Sequence, residues 1–581
     1  MSPVDPAPGA GSRQGSFRAV SGLIALGLVA ALPLLFLGFP PRGHDSIHHA
    51  RWCSNFASQV WSGEPYPRWL SQVNFGFGSP AFFYYPPLGH WVAAALCPLF
   101  AGPRQVWMSL GWAAALALLL SGVTAWVCFS KMARPGRAWL ASALYMLGPY
   151  HLALGLYERA AYAEFWTYVW MPLIVRGIWG FRAKEPSAWG WAITGFTGLF
   201  LSHLPTTVTF TPLALLLALG HGWAALGRTL LALTGAVMLA AVYLLPCFAY
   251  LGFVNTGSMR GGLHETFFFP NLSLTQPLAV PDAFSIRVFM VFLGFLLTLV
   301  CHHLRWLSSW ASRDRPAAAP HWLGLGWLVT FLMLPLSRPI YSALWPLQMI
   351  QFTWRFLAPA SLIWAALIAN GRGDPREPRL GRVCDGVGLL SALVTLVLVS
   401  GGVISDTASQ YARGPSHPPE PLRTLLDARE YLPGLASPWA ARDAMGDRLV
   451  VPRSSEAAVS IQGWKARHLQ FTVNTPRATT LWVRQLYYPG WRAWRDNTLE
   501  LKVDGSGPGG AIAVELPPGN YRVDLRLTAL LPERLGGWIS FFTLAGLAFL
   551  AIGRVRLKSP EFQTHSGAQP TGGPSSPCQP V

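Results

Sequence analysis

Apolar runs long enough to cross a lipid bilayer recur from one end of this 581-residue chain to the other. No other feature restricts the fold as strongly, because one soluble core has no room for many runs of about 20 apolar residues. The runs fall at 21–39, 107–129, 138–150, 164–180, 187–203, 207–221, 228–250, 286–304, 322–336, 354–371, 385–404 and 538–554, with a shorter, proline-flanked one at 88–100. The predicted fold class is a polytopic α-helical membrane protein of about 12–13 spans. A composition of 52% hydrophobic and only 12% charged residues agrees with this and excludes an ordinary soluble enzyme.

The formal net charge of +18 does not point to nucleic acid. The basic residues sit in short clusters between apolar runs, such as Lys131/Arg134/Arg137 and Arg372/Arg376/Arg379/Arg382, as the positive-inside rule expects. Nucleic acid is therefore excluded as a partner, and membrane lipid is the expected surroundings. The clusters fall in alternate connections, which places residues 40–87, 149–163, 203–206, 251–285, 337–353 and 405–537 together on the external side, provided that 88–100 dips in and returns. The seven cysteines are scattered, without a CxxC pair, so no disulfide framework or zinc ribbon follows.

The expected organisation is a cytoplasmic, disordered N-terminus (1–20), a multi-span domain (21–404) with a first external loop at 40–87, an external domain (405–537), a last span (538–556) and a disordered tail (557–581). The first apolar run reads as a retained signal anchor. Period-two alternation at 469–474, 479–485 and 511–527, separated by turn signals, predicts a β-sandwich within 465–530. Residues 405–465 read only as a loose lead into it. Behind the first run, Cys53, Phe56, Ala57, Val60 and Trp61 alternate at helical spacing with polar residues, which predicts a helix over 46–62 lying on the outer membrane surface. The Gly-, Pro- and aromatic-rich stretch 63–88 then reads as an ordered loop at the interface.

The segment GHDSIHHARW (43–52) places an acid among histidines at the mouth of a span, where ionisable groups are costly. Asp45 heads the predicted helix, so it is either an N-cap or a working carboxylate. Asp45, His48 and His49 are close enough along the helix to share a divalent metal ion or a proton. As a catalytic group, Asp45 would be a general base or a metal ligand. A second acidic knot, LYERAAYAEFW (156–166), brings Glu158 and Glu164 to either side of Arg159 on the same predicted face. These two are candidates for the second acid, against the plainer reading of a Glu–Arg pair. Arg68, Arg159 and Arg355 are candidate phosphate grips, and His203 and His264 candidate substrate-binding residues. Snorkelling or packed side chains are the bland alternatives for these.

The order HDxxHH after the first run, YPRW with NFGFGSPAFFYYPPL, YERAAYAEFW, QFTWRF, EYLP at 430–433 and YYPGWRAW with LPPGNYRV resembles a family of bacterial multi-span proteins labelled 6-pyruvoyl-tetrahydropterin synthase related. These are similar to YfhO-like membrane proteins and, more remotely, to the GT-C glycosyltransferase superfamily. The resemblance covers nearly the whole chain. It implies an acid in the first external loop, matched by Asp45, a helix along the membrane, and a polyprenyl-phosphate-linked sugar as donor. It also implies a location in the bacterial inner membrane with both termini cytoplasmic. The chain departs from the pattern in having His44–Asp45 where an acidic pair is usual, and Thr353 in place of a proline. The pterin label finds no counterpart, since that zinc site needs three histidines on a small β-rich fold. The resulting expectation is a membrane glycosyltransferase, with a lipid-linked sugar transporter (flippase) or a non-catalytic envelope-assembly protein as alternatives.

Overall fold

The computed structural model of the chain describes residues 10–102, 104–255, 257, 282–308, 319–371, 379–413, 426–434 and 436–556. His264 and the tail 557–581 lie outside the described residues, as do residues 1–9 of the expected disordered N-terminus. The described part is mostly helical with a β-sheet region near the C-terminus. Residues 10–20, expected to be disordered, already form the start of the helix Ala10–Phe36.

Among the described residues, five helices are long and apolar enough to cross a membrane: Gln14–Phe36, Gln105–Phe129, Ala283–Ser308, Arg379–Arg413 and Leu531–Ile552. Two bent pairs, Trp223–Leu239 with Ala241–Ala249 and Pro320–Leu332 with Pro335–Ala343, turn by 76° and 85°, and bring the number to seven if each is one span. This falls short of the 12–13 expected. The other runs do become helices, but several are short: Pro135–Met146 has 12 residues and Ala188–Ser202 has 15. At 1.5 Å per residue, a 12-residue helix covers about 18 Å of a core about 30 Å thick. The run at 88–100 forms only the short helix Leu88–Leu96 and a terminal turn.

Two helical segments extend beyond their expected limits. Residues 149–158, expected as part of a loop, continue as a π-helix (Pro149–Glu158), in which Arg159 N–H bonds back five residues to the Leu154 carbonyl (2.9 Å). The helix Arg379–Arg413 also runs well past the expected boundary at 404.

The β region begins at 450, earlier than expected. Its strands are β1 (Val450–Pro452), β2 (Ala458–Lys465), β3 (His468–Thr475), β4 (Thr479–Leu486), β5 (Trp491–Arg495), β6 (Leu499–Leu501), β7 (Val503–Asp504), β8 (Ala511–Leu516) and β9 (Gly519–Leu527). They form two antiparallel sheets, ordered β1-β4-β8-β7 and β2-β3-β9-β5-β6. Phe471, Val473, Val523 and Leu525 of one sheet and Leu481, Val483, Ile512 and Val514 of the other share one buried core. The sandwich follows from the alternation that the sequence shows, since one face of each strand is apolar.

That core extends beyond the sandwich. Trp69, Phe75, Phe77 and Phe83 of the first long loop belong to it. Trp69 is fully buried and its indole N–H donates to Gln485 Oε1 (2.6 Å), while Leu486 N–H donates to the Phe77 carbonyl (2.6 Å). The aromatic loop is thus cemented to the sandwich instead of anchoring at headgroup depth. Gly78 makes this possible: its φ of +81° favours glycine, and a Cβ there would lie 2.5 Å from the Trp69 indole.

Candidate functional site

The helix Ser46–Trp61 forms where amphipathic spacing predicts it, but its polar face is not turned to water. Asn55 Oδ1 accepts from Gln72 N–H (3.2 Å), and Gln59 bonds Ser71 N–H (3.2 Å) and the Trp69 carbonyl (2.8 Å). Buried Arg51 ion-pairs with Asp427 (3.5 Å) and donates to the Leu426 carbonyl. The polar stripe is a docking face for two loops and not a face turned to water.

At the N-terminus of this helix two chain segments meet edge to edge. His44 N–H donates to the Glu158 carbonyl (3.3 Å) and Asp45 N–H to the Arg159 carbonyl (2.9 Å). A Cβ on Gly43 would stand 2.6 Å from the Cβ of Ala160, so glycine is what allows the approach. Ala160 itself has φ +55°, a conformation costly for a residue with a Cβ, between the π-helix and the helix Tyr162–Arg182.

Asp45 occupies the N-cap position, yet its side chain makes no capping bond. Among the described residues its carboxylate has no hydrogen-bond or ion-pair partner, and it is half-buried. Its charge acts on His44, His48, Tyr85, Arg159, Arg355 and Glu430. The N-cap alternative is thereby removed as an account of the side chain.

The other two predicted acids are engaged. Glu158 Oε1 accepts from Arg287 (2.7 Å), which also holds Asp406 (2.5 Å), so that Glu158 fastens the π-helix to the helices Ala283–Ser308 and Arg379–Arg413. Glu164, buried, pairs with Arg159 (3.0 Å) and accepts from the Tyr150 hydroxyl (2.8 Å). Arg159 is thus neutralised from one side only, by Glu164. Its guanidinium also lies over the Trp354 ring (4.6 Å).

Arg355 has a donor to spare. Nη1 donates to the Ile350 carbonyl (2.8 Å), while the buried Nε has no partner among the described residues. Its guanidinium lies 5.2 Å from the Phe352 ring, and Phe352 stacks on Trp354 at 4.8 Å. Just before this pair Gln351 takes a left-handed backbone conformation (φ +64°). No protein-family model matched the chain, and no curated protein matched it either.

The remaining predicted residues are placed as follows. Arg68 is bound to Glu533 (3.5 Å) and to the Val242 carbonyl (2.9 Å), a latch between the first loop and the last helix. This departs from the expected phosphate grip. His203 caps the helix Leu204–Gly220, its Nδ1 accepting from Thr206 N–H (3.3 Å). Burial and the nearby Arg355 guanidinium hold His203 down at about 3, so its imidazole is neutral. His49 lies buried in a box of Phe39, Trp52, Tyr85, His90 and Tyr162 rings, and burial keeps it far below its ordinary range. His48 Nδ1 faces Arg51 at 2.8 Å. Among the described residues no three His, Cys, Asp or Glu side chains are gathered to hold a metal ion.

The segment 426–434, inside the stretch that read only as a lead, belongs to the site as well. Asp427, buried, accepts from Trp52 Nε1 (2.9 Å) and from the Ser79 hydroxyl, and its own N–H donates to Asn74 Oδ1 (2.7 Å). The one signal in the sequence was EYLP at 430–433, which carried no role by itself.

Proposed function

We propose that this protein is an integral membrane glycosyltransferase of the GT-C type, transferring a sugar from a polyprenyl phosphate to a cell-envelope acceptor on the external face of the bacterial inner membrane. The observation that carries this reading is the unpartnered Asp45 carboxylate. Every other acid of the two predicted knots is neutralised by an arginine, whereas Asp45 stands free beside cationic groups. A fold spends no stability on an unpaired, half-buried acid for structural reasons.

In this reading the acceptor hydroxyl gives its proton to Asp45 as its oxygen attacks the anomeric carbon. The bond from that carbon to the phosphate oxygen breaks, and the electron pair leaves with the polyprenyl phosphate. Arg355, with an uncommitted guanidinium N–H group, meets the growing phosphate charge. The stacked Phe352 and Trp354 offer an apolar wall for the sugar or the first isoprene units.

The test is transfer of labelled sugar from polyprenyl-phosphate donors to envelope extracts by the purified full-length protein. Asp45→Asn should reduce transfer at least about 100-fold, the scale of general-base catalysis, and leave the melting temperature unchanged because no protein contact is lost. Absence of transfer by the wild type to any extract would sink the reading. Movement of the intact lipid-linked sugar across vesicles, without bond cleavage, would instead establish the transporter alternative.

A further inference from the structure

The segment 426–434 is fastened at both ends and leaves one polar side chain unexplained. On one side Asp427 is held by Trp52, Ser79 and Asn74. On the other, the Tyr431 ring lies against Trp52 (5.6 Å) and Tyr85 (6.2 Å), Pro433 bridges to Val254, and Gly434 N–H donates to the Phe253 carbonyl (2.9 Å). Between these anchors a single 3-10 turn, Arg429–Tyr431, presents Glu430. Glu430 is half-buried, and among the described residues its carboxyl has no ion pair and no hydrogen bond from another residue, only one from its own backbone N–H. The charges it meets are Asp427 from its own segment, Asp45 from the first loop and Arg355 from the turn before Leu357–Ala369.

An acid that no other residue engages, on so firmly docked a turn, is held for something outside the chain. We propose that Glu430 is the second carboxyl group of the Asp45 site, and that it donates a hydrogen bond to the same phosphate that Arg355 grips. This assignment rests on the glycosyltransferase reading of the Asp45 site. Two free carboxyls near each other divide the work when their surroundings differ: one stays ionised and accepts a proton, the other stays neutral and donates. Burial, with the neighbouring Asp427 and Asp45 carboxylates, holds Glu430 above the ordinary glutamate range, against the pull of its own backbone N–H and of Arg355. Its proton remains on Glu430 throughout, shared with a phosphate oxygen as charge builds there, so the balance of the transfer is unchanged.

A donor role makes an unusual prediction for the variants. Glutamine keeps an N–H donor of the same reach, whereas leucine keeps the volume and loses the donor. Equilibrium binding of polyprenyl phosphate to the full-length protein in detergent, alongside transfer, reads this directly. Glu430→Leu should weaken that binding about 10-fold or more and lower kcat by a larger factor, while Glu430→Gln stays within about fivefold of wild type in both; both should keep the wild-type melting temperature. Leucine binding the lipid phosphate as wild type does would overturn the proposal, as would glutamine failing as badly as leucine, which marks a base. Transfer intact in the leucine variant strikes this inference alone. No transfer by wild type strikes the glycosyltransferase reading, and the lipid-phosphate binding of the two variants then still decides for or against Glu430.

Discussion

What separates Asp45 from Glu164, as single residues, is the company each carboxylate keeps. Glu164 has an arginine at 3.0 Å and a tyrosine hydroxyl at 2.8 Å, both buried with it. Removing its charge strands Arg159 in a place water does not reach, which costs about 3–5 kcal/mol. Glu164→Gln should therefore lower the melting temperature markedly, whereas Asp45→Asn should not; a melt that ranks them the other way contradicts the assignment of roles. His203 supplies a pH dependence with a definite sign. Its folded value of about 3 lies below the unfolded value of about 6.5, so its contribution is complete above pH 6.5 and is lost as the pH falls toward 3. Melting temperatures of the wild type should decline from pH 7 to pH 5. His203→Gln, which keeps an acceptor for Thr206 N–H, should show a shallower decline.

Elements decide how the site residues meet. The close approach of residues 43–45 to 158–160 depends on a glycine at one position and a left-handed alanine at the other. Gly43→Ala would place a methyl group 2.6 Å from the Ala160 Cβ and force the two segments apart. Because Asp45 hangs from this junction, a displacement of about 1 Å should cost transfer on the order of 100-fold. The same change should leave the global melt within a few degrees, which kinetics and calorimetry on one preparation would establish. The helix Ser46–Trp61 was legible from its periodicity. The use of its polar stripe was not, since a face rich in Arg, Asn and Gln looks the same whether it meets water or a buried loop.

Over the whole molecule, the bundle and the sandwich share a core. Trp69, from the first loop, is buried among residues of the sandwich and bonds Gln485. Trp69→Ala should cost about 3–5 kcal/mol even though the residue lies 416 positions from its partner in the chain. With the core shared, the protein should unfold in one calorimetric transition, and two well-separated transitions in the wild type would refute the shared core. Described parts of three connections assigned to one side from charge alone, 40–87, 149–163 and 405–537, touch one another. Asp45 meets Arg159, Tyr84 bonds the Tyr250 carbonyl (2.7 Å), and segment 426–434 lies on the first loop.

The apolar helices, the alternation that builds the sandwich, and the narrow set of loops in which ionisable residues collect are all legible in the order of the amino acids. Those are local properties: period, run length and charge are written within a few residues of one another. Which acids are free is a matter for the folded chain alone. Glu158 is claimed by Arg287, Arg68 by Glu533 and Arg51 by Asp427, partners 129, 465 and 376 positions away. Pairing over such separations depends on how helices and loops are laid side by side, and no periodicity records it.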